Sequence, residues 1–179
     1  DCLVEIAVVV TNSELEILDA GIDIVIKPTP QGLANMGEFV TNMHTESGLI
    51  KEFEHGVELA DAEQIVLEYV KRFVPEARTA PLAGNTIGTD RMFINRYMPQ
   101  LDSHLHYRNI DVSSVKELSR RWYPRVYFNM PKKDGGHRAL ADILESIKEL
   151  QYYRKTVFVE QPGPTSEVAK SAADSLDRD

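Results

Sequence analysis

The sequence predicts an α/β (α+β) layer fold, in which a mixed sheet is flanked by helices. Three features carry that expectation. Leu3-Val4-Glu5-Ile6-Ala7-Val8-Val9-Val10 is β-branched and almost wholly apolar, the pattern of a strand buried on both faces. Ala62, Ile65, Val66, Tyr69, Val70 and Phe73 recur at helical spacing, as do Leu140, Ile143, Leu144, Ile147 and Leu150. Between these two segments, shorter strand-like and helix-like stretches alternate.

After the first strand, Thr11-Asn12-Ser13 supplies turn chemistry. Leu15 to Leu18 and Ile22 to Ile26 read as two further strands with Gly21 between them, and Pro28 and Pro30 end the series. The opening third is therefore a β-meander. Residues 31–56 admit short helices around Met36 to Met43 and Gly48 to Phe53. The helix through Ala62 to Phe73 takes Asp61 as its cap, Gln64 completes a capping-box-like start, and Pro75 stops it. Thr79 to Asn85 reads as a short strand running into a turn. A helix follows from about Asp90 to Met98, ended by Pro99, and His106 to Val112 is another strand. Ser113 or Ser114 caps a helix reaching Trp122, with Pro124 beyond it. Pro131 to Gly136 is a loop before the last long helix. After Val159, Pro162-Gly163-Pro164 and a run of Thr, Ser, Ala and acidic residues describe a mobile tail. The folded domain is thus expected over 1–159 and the tail over 160–179.

The 179 residues, 42% apolar and 27% charged, suit one domain with a tail. No apolar run approaches the roughly 20 residues that span a bilayer, and no stretch reads as a secretory leader. No membrane partner is expected. Cys2 is the only cysteine, which excludes a disulfide framework or a cysteine-based zinc site within one chain. A reducing, cytoplasmic setting fits it. The formal net charge of -8 argues against gripping long duplexes by phosphate neutralisation. It leaves room for a short nucleotide held by a few placed groups.

Several residues can carry chemistry. Two fully helical residues five apart, such as His137 and Asp142, point roughly 140° apart. They converge only if His137 sits in the Gly135-Gly136 loop or in the helix's first turn, which Gly-Gly makes easy. A histidine beside a carboxylate there can serve as base and metal ligand. Alternatively Asp142 pairs with Arg138, four residues back, as a solvated ion pair. Asp90 follows Gly84-Asn85-Thr86-Ile87-Gly88-Thr89, where two glycines let a ligand approach the backbone closely. Its carboxylate either caps the next helix or faces a divalent ion. No Gly-Lys-Ser/Thr follows, so this is not a phosphate-loop signature. His104-Leu105-His106-Tyr107-Arg108 groups two imidazoles, a phenol and a guanidinium. Arg suits planar phosphate contacts and Tyr can stack on a base, although both also suit an ordinary surface. His44 is either a packed or surface residue or a ligand contact, and Phe39 is either core or a stacking platform.

Read together, these segments resemble oligoribonuclease, a 3′-to-5′ exoribonuclease family of the ribonuclease H-like DEDDh group. The matching stretches are Leu3-Val4-Glu5-Ile6-Ala7, Met43-His44-Thr45-Glu46-Ser47-Gly48-Leu49 and Gly84-Asn85-Thr86-Ile87-Gly88-Thr89-Asp90-Arg91. His106-Tyr107-Arg108, Asp111-Val112-Ser113-Ser114-Val115-Lys116-Glu117-Leu118 and His137-Arg138-Ala139-Leu140-Ala141-Asp142-Ile143 follow, in family order and at family spacing. The match runs from Leu3 to about Phe158, and Arg121-Trp122-Tyr123-Pro124-Arg125 with Gln161-Pro162-Gly163-Pro164 look like the actinobacterial branch. The resemblance implies a ribonuclease H-like mixed sheet and a phosphodiesterase using two divalent ions, Mg²⁺ or Mn²⁺. It implies that Asp90 and Asp142 are metal carboxylates and that His137 is the general base. His44 and Phe39 would contact bases or close the pocket. Thr86, Arg108 and Ser113 would cap a 5′ phosphate, and Tyr107 would reach the neighbouring subunit of a homodimer. The implied substrates are very short RNAs, above all 5′-phosphorylated dinucleotides, cut to mononucleotides.

One departure is expected to matter. The family opens with a strand bearing Asp-x-Glu-Met-Thr-Gly, which supplies two more metal carboxylates and a leucine wedge. Here Asp1-Cys2 aligns after that motif, so the first central strand is missing; Asp1 is not the catalytic aspartate, and Glu5 is not promoted to replace a ligand. Two carboxylates hold two divalent ions less well than four. Unpaired strand edges would also weaken the fold, so an impaired enzyme is expected. The competing readings are a catalytically inactive nucleotide-binding or dimerisation module, and a DNA-directed exonuclease of the same superfamily.

Overall fold

β1 (Glu5–Val8) and β2 (Ile22–Val25) pair antiparallel with Ile6 opposite Ile24. In this computed structural model, residues 2–132 and 138–176 are described. Of the apolar opening run, Ile6 is buried and its neighbours in β1 are half-buried. The expected meander is reduced to one hairpin. Asn12 is the physical reason: its Oδ1 accepts the Glu14 and Glu16 N–H groups at 2.9 and 3.0 Å, a local turn that competes with a ladder. Leu15 is then left-handed at φ 64, and only the single bridge Thr11–Ile17 remains of the third strand. Gly21 turns the chain into β2 at φ +84; a Cβ there would lie 2.8 Å from the Val8 carbonyl oxygen.

α1 (Pro30–Ala34), α2 (Glu38–Glu46), a 3-10 turn (Leu49–His55) and α3 (Leu59–Phe73) follow. β3 (Pro81–Gly84) and β4 (His106–Asp111) pair in parallel, Gly84 opposite Asp111. The crossover that parallel pairing requires is made by α4 (Ile87–Tyr97) and α5 (Pro99–His104). α6 (Val112–Trp122), α7 (Pro124–Phe128), α8 (Ala139–Thr156) and α9 (Ser166–Leu176) complete the chain. Among the described residues, the two strand pairs share no hydrogen-bonded ladder. α8 packs against β1, β2 and β3 and so spans both. Every residue of α9 is exposed. The described helices include none long and apolar enough to cross a membrane.

The core lies where the β1–β2 pair meets α3 and the α4–α5 crossover. Ile6, Ile26, Val66, Val70, Met98 and Leu101 are buried there. Of the helical stripe read from the sequence, Ile65 departs and is 43% exposed. α3 begins at Leu59 with Glu58 as N-cap, so Asp61 sits inside its first turn, favourable to the helix dipole but not the cap. α4 begins at Ile87, so Asp90 lies one turn inside it and does not cap it. Asp111, not Ser113 or Ser114, caps α6 by accepting from Ser113 N–H.

Two buried polar residues hold the crossover. His104 Nε2 lies 2.8 Å from the Val74 carbonyl oxygen, a structural contact. Glu63, 6% exposed, accepts from the Gln100 and Leu101 N–H groups at 2.7 and 3.2 Å and so caps α5 from a neighbouring helix. Glu63→Ala leaves two amide donors without an acceptor. We expect it to lower unfolding free energy by about 2 kcal/mol in a urea titration. Glu63→Gln keeps an acceptor and should lose about half of that.

Candidate active site

The turn between β3 and α4 gathers several polar side chains. Thr86, the α4 N-cap, adopts φ 53 and ψ 33. For a β-branched residue that conformation costs about 1–2 kcal/mol. It is held by two bonds from its own N–H, to Asp111 Oδ1 at 3.0 Å and to Ser113 Oγ at 2.9 Å. Non-glycine residues held in this region cluster at functional sites. Asp111 also accepts from Ser113 N–H at 3.1 Å and from the Ser114 hydroxyl at 2.8 Å. Thr86 and Ser113, distant in sequence, are therefore neighbours.

Asp90 projects one turn further along α4. Partial desolvation holds its carboxyl above the usual carboxylate range, against a smaller opposing backbone hydrogen bond. No ion pair to Asp90 is present among the described residues. A hard oxygen donor without an ion-pair partner among the described residues fits a divalent cation. Asp142 lies in the first turn of α8. The junction ties the two helices together: Asn85, beside the α4 cap, donates to Ser146 Oγ on α8 at 2.9 Å, and Ser146 donates to the Asp142 carbonyl oxygen at 2.8 Å. Asp90 and Asp142 thus stand on elements joined through one side chain. Among the described residues, no group of three or more His, Cys, Asp or Glu is placed to hold a metal. His137, the expected base, lies outside the described residues.

The start of α8 is fixed by Arg138. Its Nε lies 2.6 Å from Glu5 Oε1, its Nη1 2.8 Å from Glu52 Oε1 and its Nη2 4.0 Å from Asp23. The hydrogen bond to Glu5 raises the guanidinium pKa further. Ala139 N–H donates to the second Glu5 oxygen at 3.0 Å. Both oxygens of Glu5 are therefore engaged. The alternative pairing of Arg138 with Asp142 is replaced: the guanidinium turns to the hairpin and the 3-10 turn, and Asp142 meets Arg138 through a backbone bond of 3.0 Å. Asp23, crowded by burial and then by Glu5, titrates above its usual range.

α2 and the 3-10 turn form the neighbouring wall. His44 meets Phe53 edge-on with ring centroids 6.0 Å apart. Burial lowers its pKa, opposed by Glu5, and its Nδ1 is buried with no hydrogen-bond partner. Phe39, also on α2, is 80% exposed, so its reading as a core residue fails. On β4, Tyr107 is 73% exposed and Arg108 lies over its ring at 5.4 Å. The structure thus joins Thr86 to Ser113 and the helix of Asp90 to that of Asp142, while Phe39 and Tyr107 stand out in solvent. Spacing alone gave no sign of Asn85 or of the Arg138 clamp.

The exonuclease family model (RNase_T) matches residues 1–150. An oligoribonuclease of Leifsonia xyli subsp. xyli (strain CTCB07) is 66% identical over 176 residues, covering 98% of this chain and 85% of that protein. One of Streptomyces coelicolor is 58% identical, covering 97% and 86%. One of Mycobacterium avium (strain 104) is 57% identical, covering 99% and 83%. The mixed α/β fold is that of a ribonuclease H-like exonuclease, and the family works with divalent metal ions. The chain belongs to the oligoribonuclease family of exonucleases, and by that membership it is a 3′-to-5′ exoribonuclease.

Proposed function

We propose that the chain cuts very short RNAs, above all 5′-phosphorylated dinucleotides, to 5′-mononucleotides. The observation that carries the reading is Asp90: a carboxylate held above its usual range, without an ion-pair partner among the described residues, on a helix tied to that of Asp142. Asp90 and Asp142 would hold Mg²⁺ or Mn²⁺. When bound, such ions polarise the scissile phosphate and lower the pKa of water. His137 takes the proton of the attacking water. The new P–O bond forms as the bond to the 3′ oxygen of the preceding nucleotide breaks, and that oxygen leaves as a hydroxyl.

The other residues orient the substrate. The neutral His44, with its unsatisfied Nδ1, and the exposed Phe39 face the bases. Thr86, Ser113 and Arg108 receive the 5′ phosphate. Asp111 places a negative charge beside this cap, and Arg108, with no ion pair among the described residues, supplies the compensating cation. Tyr107 reaches the site of a second subunit, so the working form is a homodimer, in the cytoplasm. In the family an Asp-x-Glu strand supplies two further metal carboxylates beside these two.

The competing reading is an inactive nucleotide-binding module. The test is incubation of a 5′-phosphorylated diribonucleotide and its deoxy counterpart with Mn²⁺, using this chain and a version preceded by the Asp-x-Glu strand. Mononucleotides from RNA are expected. Binding without turnover in both versions would establish the module, and faster cutting of the deoxy substrate would establish the DNA-directed reading.

A further inference from the structure

Asn85 is the hub of a half-buried polar network that joins the proposed cap to α8. Its Nδ2 donates to Ser146 Oγ at 2.9 Å and to Glu149 Oε2 at 3.3 Å, and its Oδ1 accepts from Ser113 Oγ at 3.1 Å. Glu149 is 3% exposed and is gripped from other sides by Lys116 Nζ at 3.4 Å and by the hydroxyl of the fully buried Tyr153 at 3.2 Å. A carboxylate only accepts, so the amide nitrogen of Asn85 must face Glu149 and its oxygen must face Ser113.

That orientation fixes protons elsewhere. Ser113 has one hydroxyl proton, and it goes to Asn85. The Ser113 oxygen is then an acceptor, receiving Thr86 N–H at 2.9 Å and leaving Thr86 as the donor in the 3.3 Å contact between their hydroxyls. Asn85 thereby fixes where the Ser113 hydroxyl points and ties the left-handed turn of Thr86, through Ser113, to α8.

We propose that Asn85 is the positioning residue of the 5′-phosphate cap, setting preference for a 5′-phosphorylated end without touching the substrate. This rests on the reading of Thr86, Arg108 and Ser113 as that cap. The test is calorimetric binding of one diribonucleotide with a 5′ phosphate and with a 5′ hydroxyl, in chelator so that hydrolysis does not intervene. The full chain is compared with Asn85→Ala and with the milder Asn85→Ser.

The expected result is a preference for the phosphorylated ligand in the unmodified chain that falls about tenfold in Asn85→Ala and less in Asn85→Ser. Affinity for the 5′-hydroxyl ligand should change less than about twofold, because the base contacts are separate. Asn85→Ser also keeps the test informative if Asn85→Ala does not fold. An equal loss for both ligands would show a merely structural role and overturn the proposal. An unchanged preference in the variants would do the same. No preference in the unmodified chain would instead overturn the cap reading, and this inference with it.

Discussion

Replacing Asp90 by Asn is expected to lower Mn²⁺-dependent turnover of a 5′-phosphorylated diribonucleotide at least about 100-fold, since a charged ligand becomes a neutral one. The same holds for Asp142→Asn. Stability should not follow activity. The Asp90 carboxyl is held above its unfolded range by desolvation. A raised carboxyl pKa means that the folded state binds the proton more tightly than the unfolded one. Stability therefore falls as pH rises from the ordinary aspartate range through the raised folded value. At neutral pH the metal-free protein already bears that penalty, and Asn removes it. The thermal midpoint of Asp90→Asn should thus equal or exceed that of the unmodified chain. Because the proton competes with the metal, the acid limb of turnover should lie above the ordinary aspartate range. A fall in activity with an equal fall in midpoint would assign Asp90 to the fold instead.

Arg138→Met is expected to be strongly destabilising. The guanidinium is the cation among Glu5, Glu52 and Asp23. Glu5 is almost buried, with its side chain 8% exposed, and would be stranded with like charges beside it. Breaking a buried pair from one side costs about 3–5 kcal/mol. Glu52 is 46% exposed, so water screens that part, and about 2–3 kcal/mol is the expected loss. For a chain of this size that corresponds to a drop of about 5–10 °C in the thermal midpoint. Adding Glu5→Gln to Arg138→Met should restore part of the loss, because it removes the stranded charge. Without such a recovery, the clamp would be packing rather than electrostatics.

Local pattern carried much of the fold into view. The helical stripe of α3, the α8 stripe, and the short strands β3 and β4 follow from spacing and from Pro and Gly positions. Three of the misplacements share one cause, which is competition from side chains acting locally or across the fold. Asn12 collects two amides and dissolves the third strand of the meander. Thr86 enters a left-handed conformation because Asp111 and Ser113, 25 and 27 residues away, take its N–H, so α4 begins earlier than expected. Arg138 finds Glu5 and Glu52 across 133 and 86 residues, and helical spacing to Asp142 had no means of showing that. At the candidate site, single residues such as Asp90 or His44 remained ambiguous by spacing. Only the ordered set of motifs gave them roles. Asn85 stood inside a motif, and its meaning came from the contacts it makes.

The most direct measurement is Mn²⁺ uptake followed by the electron paramagnetic resonance of free Mn²⁺. The unmodified chain, Asp90→Asn and Asp142→Asn would be titrated under the same conditions. Measurable uptake is expected for the unmodified chain, with affinity reduced about tenfold or more in each variant, since the proposal has both carboxylates serve one centre. Equal uptake by all three proteins, or none by the unmodified chain, would contradict a metal centre built on Asp90 and Asp142.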